Sequence, residues 1–446
     1  MSTSTTLGDA RPEWAQRHER ERRHRRAKSR LRLPFAVAAA CQAVLLLWWA
    51  AGYPAFTGSA RSGAPLYDAA VRILHPAGAT LAQSVLVAFA LGHLVAALAR
   101  FGVRGRWSGP VAVALAALPP TGSLVVSLSP EVPSTVGALL LTAAGLRLLA
   151  RRVDGTLHRG GPAQRLDLAV LFSAIALLAL TGPRGAGTAL IAALVLLPAL
   201  PRVRGRLALL TALALAVPIA LAVLGHPAAR TGDLHTLRAA DLALAQHRDP
   251  TRPDPALTVL APAAEWDAAG TDCSATAALT ERWDAAAARR AQDELAAAWR
   301  QLLRDHPDRV LDARLCRSRL AWAVWAGTGG PHAATEVPEP SAASHGLLRP
   351  LHSAAAWSRT LLRAPQLDWL LWRGALWAYL GLAAALLYAW RHRLPALVPV
   401  AGAAVLGTQL ALTASAAGQD YRTMAVALFL GPLLLTLATV RRAPAP

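Results

Sequence analysis

Apolar residues in this chain come in long blocks separated by short, arginine-bearing loops, a pattern that reads as lipid-spanning helices rather than as the amphipathic faces of soluble elements. A helix that crosses hydrocarbon needs about 20 predominantly apolar residues, because lipid offers its backbone no hydrogen-bond partner. Blocks of this kind lie at about 34–52, 81–101, 109–128, 134–150, 167–182, 186–201, 207–224, 367–390, 394–415 and 423–440. They predict an all-α fold, a polytopic transmembrane helical bundle of about ten spans, with a helical extracytoplasmic domain. The fifth and sixth blocks are short, and only Thr181, Gly182, Pro183, Arg184 and Gly185 separate them. A hairpin that tilts or stops short is the alternative there. Pro119 and Pro120, midway along the third block, should bend it and free backbone carbonyls.

Charge adds a side to this count. The 446 residues are 54% hydrophobic and 16% charged, with a net charge of +20 that would suggest nucleic acid if it lay on one soluble face. It lies instead in short loops, almost all of it arginine. The arm before the first block carries Arg22, Arg23, Arg25, Arg26, Lys28, Arg30 and Arg32, and alternate loops carry Arg100, Arg104 and Arg106; Arg147, Arg151, Arg152 and Arg159; Arg202, Arg204 and Arg206; Arg391 and Arg393; Arg441 and Arg442. The intervening short loops carry few. Arginine and lysine in short loops mark the cytoplasmic side, so both termini are predicted inside a plasma (inner) membrane and the long stretch 225–366 outside it. The chain divides accordingly into a basic arm (1–33), an N-terminal transmembrane region (34–224), an extracytoplasmic domain (225–366) and a C-terminal transmembrane region (367–446). That outer domain holds sixteen arginines against sixteen Asp plus Glu, so bulk charge makes it no nucleic-acid binder, and membrane lipid is the expected partner of the basic loops. The arm before the first block is too long for a secretory signal, and that block is expected to remain as a signal anchor.

Within the outer domain, Asp233–Gln246 and Trp283–Leu303 show helical apolar spacing, and a further helix over Arg309–Trp325 follows the break at His306 and Pro307. The Gly-, Pro- and Ser-rich run at 326–350 reads as a connector or flap. Cys273 and Cys316 are the only cysteines outside and are expected to pair in an oxidising compartment, two buried thiols being the alternative; Cys41 falls in the first span. The first outer loop, Tyr53–Thr80, contains a candidate interfacial helix with Leu66, Ala70, Ile73 and Leu74 on its apolar face beside Tyr67, Asp68 and Arg72. The turn Ser129-Pro130-Glu131-Val132-Pro133 and the loop Gly418-Gln419-Asp420-Tyr421-Arg422 each place a carboxylate on the same side.

This arrangement resembles the GT-C membrane glycosyltransferases. The phrase His306-Pro307-Asp308-Arg309-Val310-Leu311-Asp312-Ala313-Arg314 is similar to one ahead of the late helices in many actinobacterial members, and Asp420-Tyr421-Arg422 is similar to their entry into the last span. The resemblance implies transfer of a sugar from a polyprenyl-phosphate donor to an extracytoplasmic acceptor. It further implies a carboxylate base, Asp68, and a second acid, Glu131, which orients the acceptor or holds a divalent cation. Arg422, oriented by Asp420 and assisted by Arg314 or Arg373, would hold the donor phosphate. The chain departs from the family where Thr57-Gly58-Ser59-Ala60 stands in place of an early Asp-Ser, which leaves a degenerate, non-catalytic member as an open reading.

Plainer roles exist for each residue. Asp68 can pair with Arg72 at the i,i+4 spacing, Glu131 can sit at a helix N-terminus, and Asp420 with Arg422 can be a solvated pair. His93, Gln42 and Gln409, inside spans, are expected to hydrogen-bond neighbouring helices. The chain has no P-loop, dinucleotide fingerprint, HExxH or CxxC pair. With no internal repeat and almost no midplane charge, the alternative to a transferase is a scaffold presenting the outer domain, ahead of a carrier.

Overall fold

The computed structural model describes residues 13–53, 64–156, 161–223, 232–248, 292–325, 365–416 and 421–441, and every regular element among them is helical. The described part of the basic arm and the first apolar block form one helix, α1 (Glu13–Gly52), which packs on α2 (Pro65–Ala99). The third block breaks into α3 (Gly105–Ala117) and α4 (Pro119–Val125), bent by 69°. The expected proline bend is therefore present, and its cause is local. Leu118 precedes a proline and sits at φ −65°, ψ 135°, because a following proline ring disfavours the helical conformation. The Leu115 carbonyl, left without the N–H that Pro119 lacks, is recaptured by Thr121 Oγ1, and Ser123 Oγ donates to Pro119 O within α4.

Three further helices follow, α5 (Glu131–Val153), α6 (Pro162–Leu180) and α7 (Pro183–Ala199). Both α6 and α7 open on a proline, which lacks the N–H that a first helical residue cannot use. The turn between them needs Gly182, whose φ of 116° is costly for any residue with a Cβ. A short 3-10 turn (Pro201–Val203) leads into α8 (Arg204–Val223), and the chain bends by 114° between α7 and α8. Leu190, Leu194, Leu209 and Leu213 stand exposed on these two helices, as lipid-facing side chains do.

The 225–366 stretch supplies α9 (Gly232–Arg248), α10 (Gln292–Asp305), α11 (Pro307–Arg317) and α12 (Arg319–Trp322). The expected break at His306 and Pro307 is where α11 begins. After α13 (Asp368–Leu371), the late helices are α14 (Gly374–His392), α15 (Leu397–Ser415) and α16 (Ala425–Leu435), the last entered by a 3-10 turn over Tyr421–Met424. The late helices insert into the early bundle: α15 packs on α5 and α7, and α16 on α5 and α14. Buried residues from both transmembrane regions, among them Leu139, Leu196, Val400 and Phe429, join one hydrophobic cluster.

Among the described residues, six helical segments are long and apolar enough to cross a membrane, or eight if each of the two bent pairs counts as one span. The chain is thus an all-α, multi-pass membrane protein. The runs at 57–60 and 326–350, with Cys273 and Asp420, lie outside the described residues.

Close helix approach depends on glycine at the α14–α16 crossing. A Cβ at Gly431 would lie 2.2 Å from the Trp377 carbonyl oxygen and 2.7 Å from Trp377 Cβ. Gly431→Ala should therefore destabilise the protein by about 1–3 kcal/mol through overpacking. Gly205→Ala, with open space around the new methyl, should leave thermal unfolding of the purified protein unchanged.

Candidate functional site

The cluster that collects the sequence-predicted carboxylates forms where α2 bends. His75 adopts φ 62°, ψ 155°, and Pro76 follows it, so the first two and a half turns of α2 leave the line of the span. The kink is secured from two sides: Trp49 Nε1 donates to Ala77 O at 3.1 Å, and Thr80 Oγ1 to Pro76 O at 2.9 Å. The displaced segment is amphipathic as expected. Ile73 and Leu74 are exposed, whereas Tyr67 and Val71 pack with Ala64, Ala79 and Leu128. An exposed apolar stripe backed by a buried polar one suits a helix lying in the membrane interface.

Asp68 is buried on that inner side. Arg72 Nε donates to its main-chain carbonyl at 3.3 Å, one turn along the helix. Glu131 is the first residue of α5, where the helix dipole favours a carboxylate. Ser129 Oγ donates to Glu131 Oε2, and Arg184, from the turn between α6 and α7, lies 3.7 Å from Oε1. Between the acids stands Tyr67. Its hydroxyl donates to Gln83 Oε1 at 3.2 Å, Gln83 Nε2 donates on to Ser127 O, and the Ser129 backbone lies within hydrogen-bond reach. Asp68 and Glu131 both lie near enough to act electrostatically on that hydroxyl. Glu131, 63 positions from Asp68 in the chain, thus lies within electrostatic reach of the same phenol, with Arg184 as its adjoining cation.

Other candidates have different partners. Arg373 Nε donates to the buried Asp368 at 2.6 Å, and its Nη1 reaches Trp325 O at 3.4 Å. Arg314 lies 3.4 Å from Asp241 Oδ2 and faces the Trp299 ring. Arg422 is half-buried in the 3-10 turn beside Tyr421, whose ring meets Trp372 edge-on at 5.1 Å. Cys316 is half-buried on α11, and its expected pairing involves Cys273, outside the described residues. No group of three or more His, Cys, Asp or Glu gathers to hold a metal ion among the described residues.

Sequence reading missed the hub that fixes the outer helices to the bundle. Asp241 on α9 is fully buried and accepts from Trp299 Nε1 at 2.9 Å and from Arg317 Nη2. Arg317, itself buried, sends Nε to Ala416 O at 2.8 Å, at the end of α15. Burial pulls the Arg317 guanidinium below its ordinary value, an effect that the neighbouring Asp241 carboxylate partly offsets. Trp322 Nε1 to Thr413 Oγ1, Gln409 Nε2 to Ala321 O and Tyr379 Oη to Trp322 O complete the seam. The available signal was Asp241 falling on the leucine stripe of an amphipathic helix, where an acid needs a buried cation.

No protein-family model, curated protein or solved structure matches the chain.

Removing Asp241 strands the buried Arg317, so Asp241→Ala should cost about 3–5 kcal/mol. Arg314→Gln, removing a partly exposed and longer contact, should cost less than about 1 kcal/mol. Thermal unfolding of the two purified variants checks the ordering.

Proposed function

We propose that this protein crosses the membrane ten times, with both termini in the cytoplasm and the 225–366 domain outside, and that the Tyr67 cluster is the acid–base half of a sugar-transfer site of GT-C type. The ten spans follow if α7 and α8 are counted separately and α14 is added to the six unbroken spans and the bent α3–α4 pair. A bend of 114° folds α8 back beside α7 more than it continues it, and α14 is apolar until Arg391 and packs along α16. Contacts between loops support the sidedness. Glu131 reaches Arg184, joining two loops assigned outside, while Arg152 Nη1 donates to Ala199 O and Tyr388 Oη to Phe101 O, each joining segments assigned inside.

The observation that carries the catalytic reading is the meeting of Asp68 and Glu131 at Tyr67, beside an interfacial helix. A lipid-phosphate donor has its phosphate at that depth. In the reaction the acceptor oxygen bonds to the anomeric carbon as the carbon–phosphate oxygen bond breaks. The proton of the acceptor passes to Asp68, and the polyprenyl phosphate leaves with the bonding electrons. Glu131, held by Ser129 and Arg184, orients the acceptor; Arg184 beside it and Arg422 are the cations assigned to the departing phosphate.

The second reading is a scaffold that presents the outer domain. It is favoured by Arg314 and Arg373, whose guanidiniums are committed to Asp241 and Asp368 within the protein.

Asp68→Asn and Glu131→Gln should each lower formation of a surface glycan about a hundredfold or more at unchanged abundance in membranes. Normal glycan in both variants selects the scaffold.

A further inference from the structure

At the end of the bundle remote from Tyr67, three helices bring together a second polar cluster that the sugar-transfer reading does not use. Arg147 and Arg151 lie one turn apart on α5, about 24 Å along the helix from Glu131 at its rise of 1.5 Å per residue. Both face Asp167 of α6, which is fully buried. Arg147 Nε stands 2.8 Å from Oδ1, and Arg151 Nε 2.6 Å from Oδ2. Both guanidiniums meet the carboxylate through Nε. The Arg147 fork lies 3.3 Å from His93 Nε2 on α2, and since a guanidinium can only donate, that histidine acts as a neutral acceptor. Arg100, just past α2, is exposed and feels the charge of both arginines, of Asp167 and of Asp154.

The charge balance of this cluster is uneven. Two arginines one turn apart repel, and Arg100 adds a third cation, whereas the acids beside them are the buried Asp167 and, toward Arg100, Asp154. Arg147 Nε lies at ion-pair distance from Asp167 Oδ1 without hydrogen-bond alignment, so this carboxylate does not satisfy that N–H. A second anion with several acceptor oxygens would do so, and arginine forks match phosphate geometry. The surroundings are lipid-facing: Trp107, with Arg106 near its ring, and Trp390 are exposed on helices at the same end, the place of an interfacial aromatic belt.

We propose that Arg100, Arg147 and Arg151 form a phosphate site for the headgroup of an anionic membrane lipid, built on Asp167 as its fixed counter-charge. A free phosphate ion shares the chemistry, but a cluster at the mouth between helices and at headgroup depth is reached most directly from the leaflet. Asp167 and His93 are positioning residues here: the carboxylate holds the two α5 arginines parallel, and the ring steers the Arg147 fork.

The full-length protein in nanodiscs of phosphatidylcholine, with or without phosphatidylglycerol, tests this through thermal stability and through the lipid that native mass spectrometry finds retained. Wild type should be stabilised by phosphatidylglycerol and keep it selectively. Arg100→Gln, at an exposed position, should fold normally in phosphatidylcholine and weaken retention roughly fivefold, the effect of one cation near an anionic surface. Arg206→Gln, an exposed arginine of the same side outside the cluster, should change nothing. Equal weakening by both variants would show a diffuse charge effect and overturn the site. Inorganic phosphate stabilising the phosphatidylcholine sample as strongly as phosphatidylglycerol does would overturn the lipid assignment.

Discussion

Hydrocarbon offers a polypeptide no hydrogen-bond partner, and the arrangement of this protein follows from that constraint. Several polar groups within the bundle are answered by another part of the chain. Gln42 Nε2 reaches Ser84, Gln409 reaches Ala321 O, and the Leu115 carbonyl freed at the Pro119 bend is taken by Thr121. Where the backbone leaves the helical path, as at His75, a side chain from a neighbouring helix closes the gap.

The same constraint drives ionisable groups to the two ends of the bundle. At one end, Tyr67, Asp68, Glu131 and Arg184 gather beside an interfacial helix, and Arg317 and Arg373 tie the outer helices down. At the other, Asp167 holds two arginines beside His93. Between them the helices meet through small residues, with Gly431 against Trp377 the tightest example. Membrane helices gain no hydrophobic drive from packing on one another, so such close approach supplies dispersion contact instead. The protein can therefore carry polar chemistry at each surface while its middle remains apolar.

The apolar helices were legible because length and apolarity are direct physical requirements, and the proline bend because a ring that removes an N–H acts locally. Convergence of Asp68 and Glu131 was foreseeable only as a side of the membrane: both sit in loops of one face, but the kink that turns Asp68 inward is a tertiary event fixed by Trp49. Tyr67 was read as a neighbour of the apolar stripe, and its position between the acids came from packing on Leu128. Arg147 and Arg151 were read as topology markers, since nothing in their local sequence points to Asp167, sixteen or more residues on and at the edge of an apolar block. Arg314 and Arg373 were read as ligand-facing by resemblance. Their acids, Asp241 and Asp368, are distant or unremarkable in sequence, so an internal pairing left no local mark.

The account stands on the bundle having two chemically distinct ends on opposite sides of the membrane. Arg184 and Arg202 bracket α7, one at each end of a helix of 17 residues, and both are accessible. Single substitutions Arg184→Cys and Arg202→Cys, exposed in intact cells to a membrane-impermeant thiol reagent and read by site-resolved mass spectrometry, measure this directly. Labelling at 184 in intact cells, and at 202 only after permeabilisation, is the predicted result. Labelling of both from the same side would contradict it.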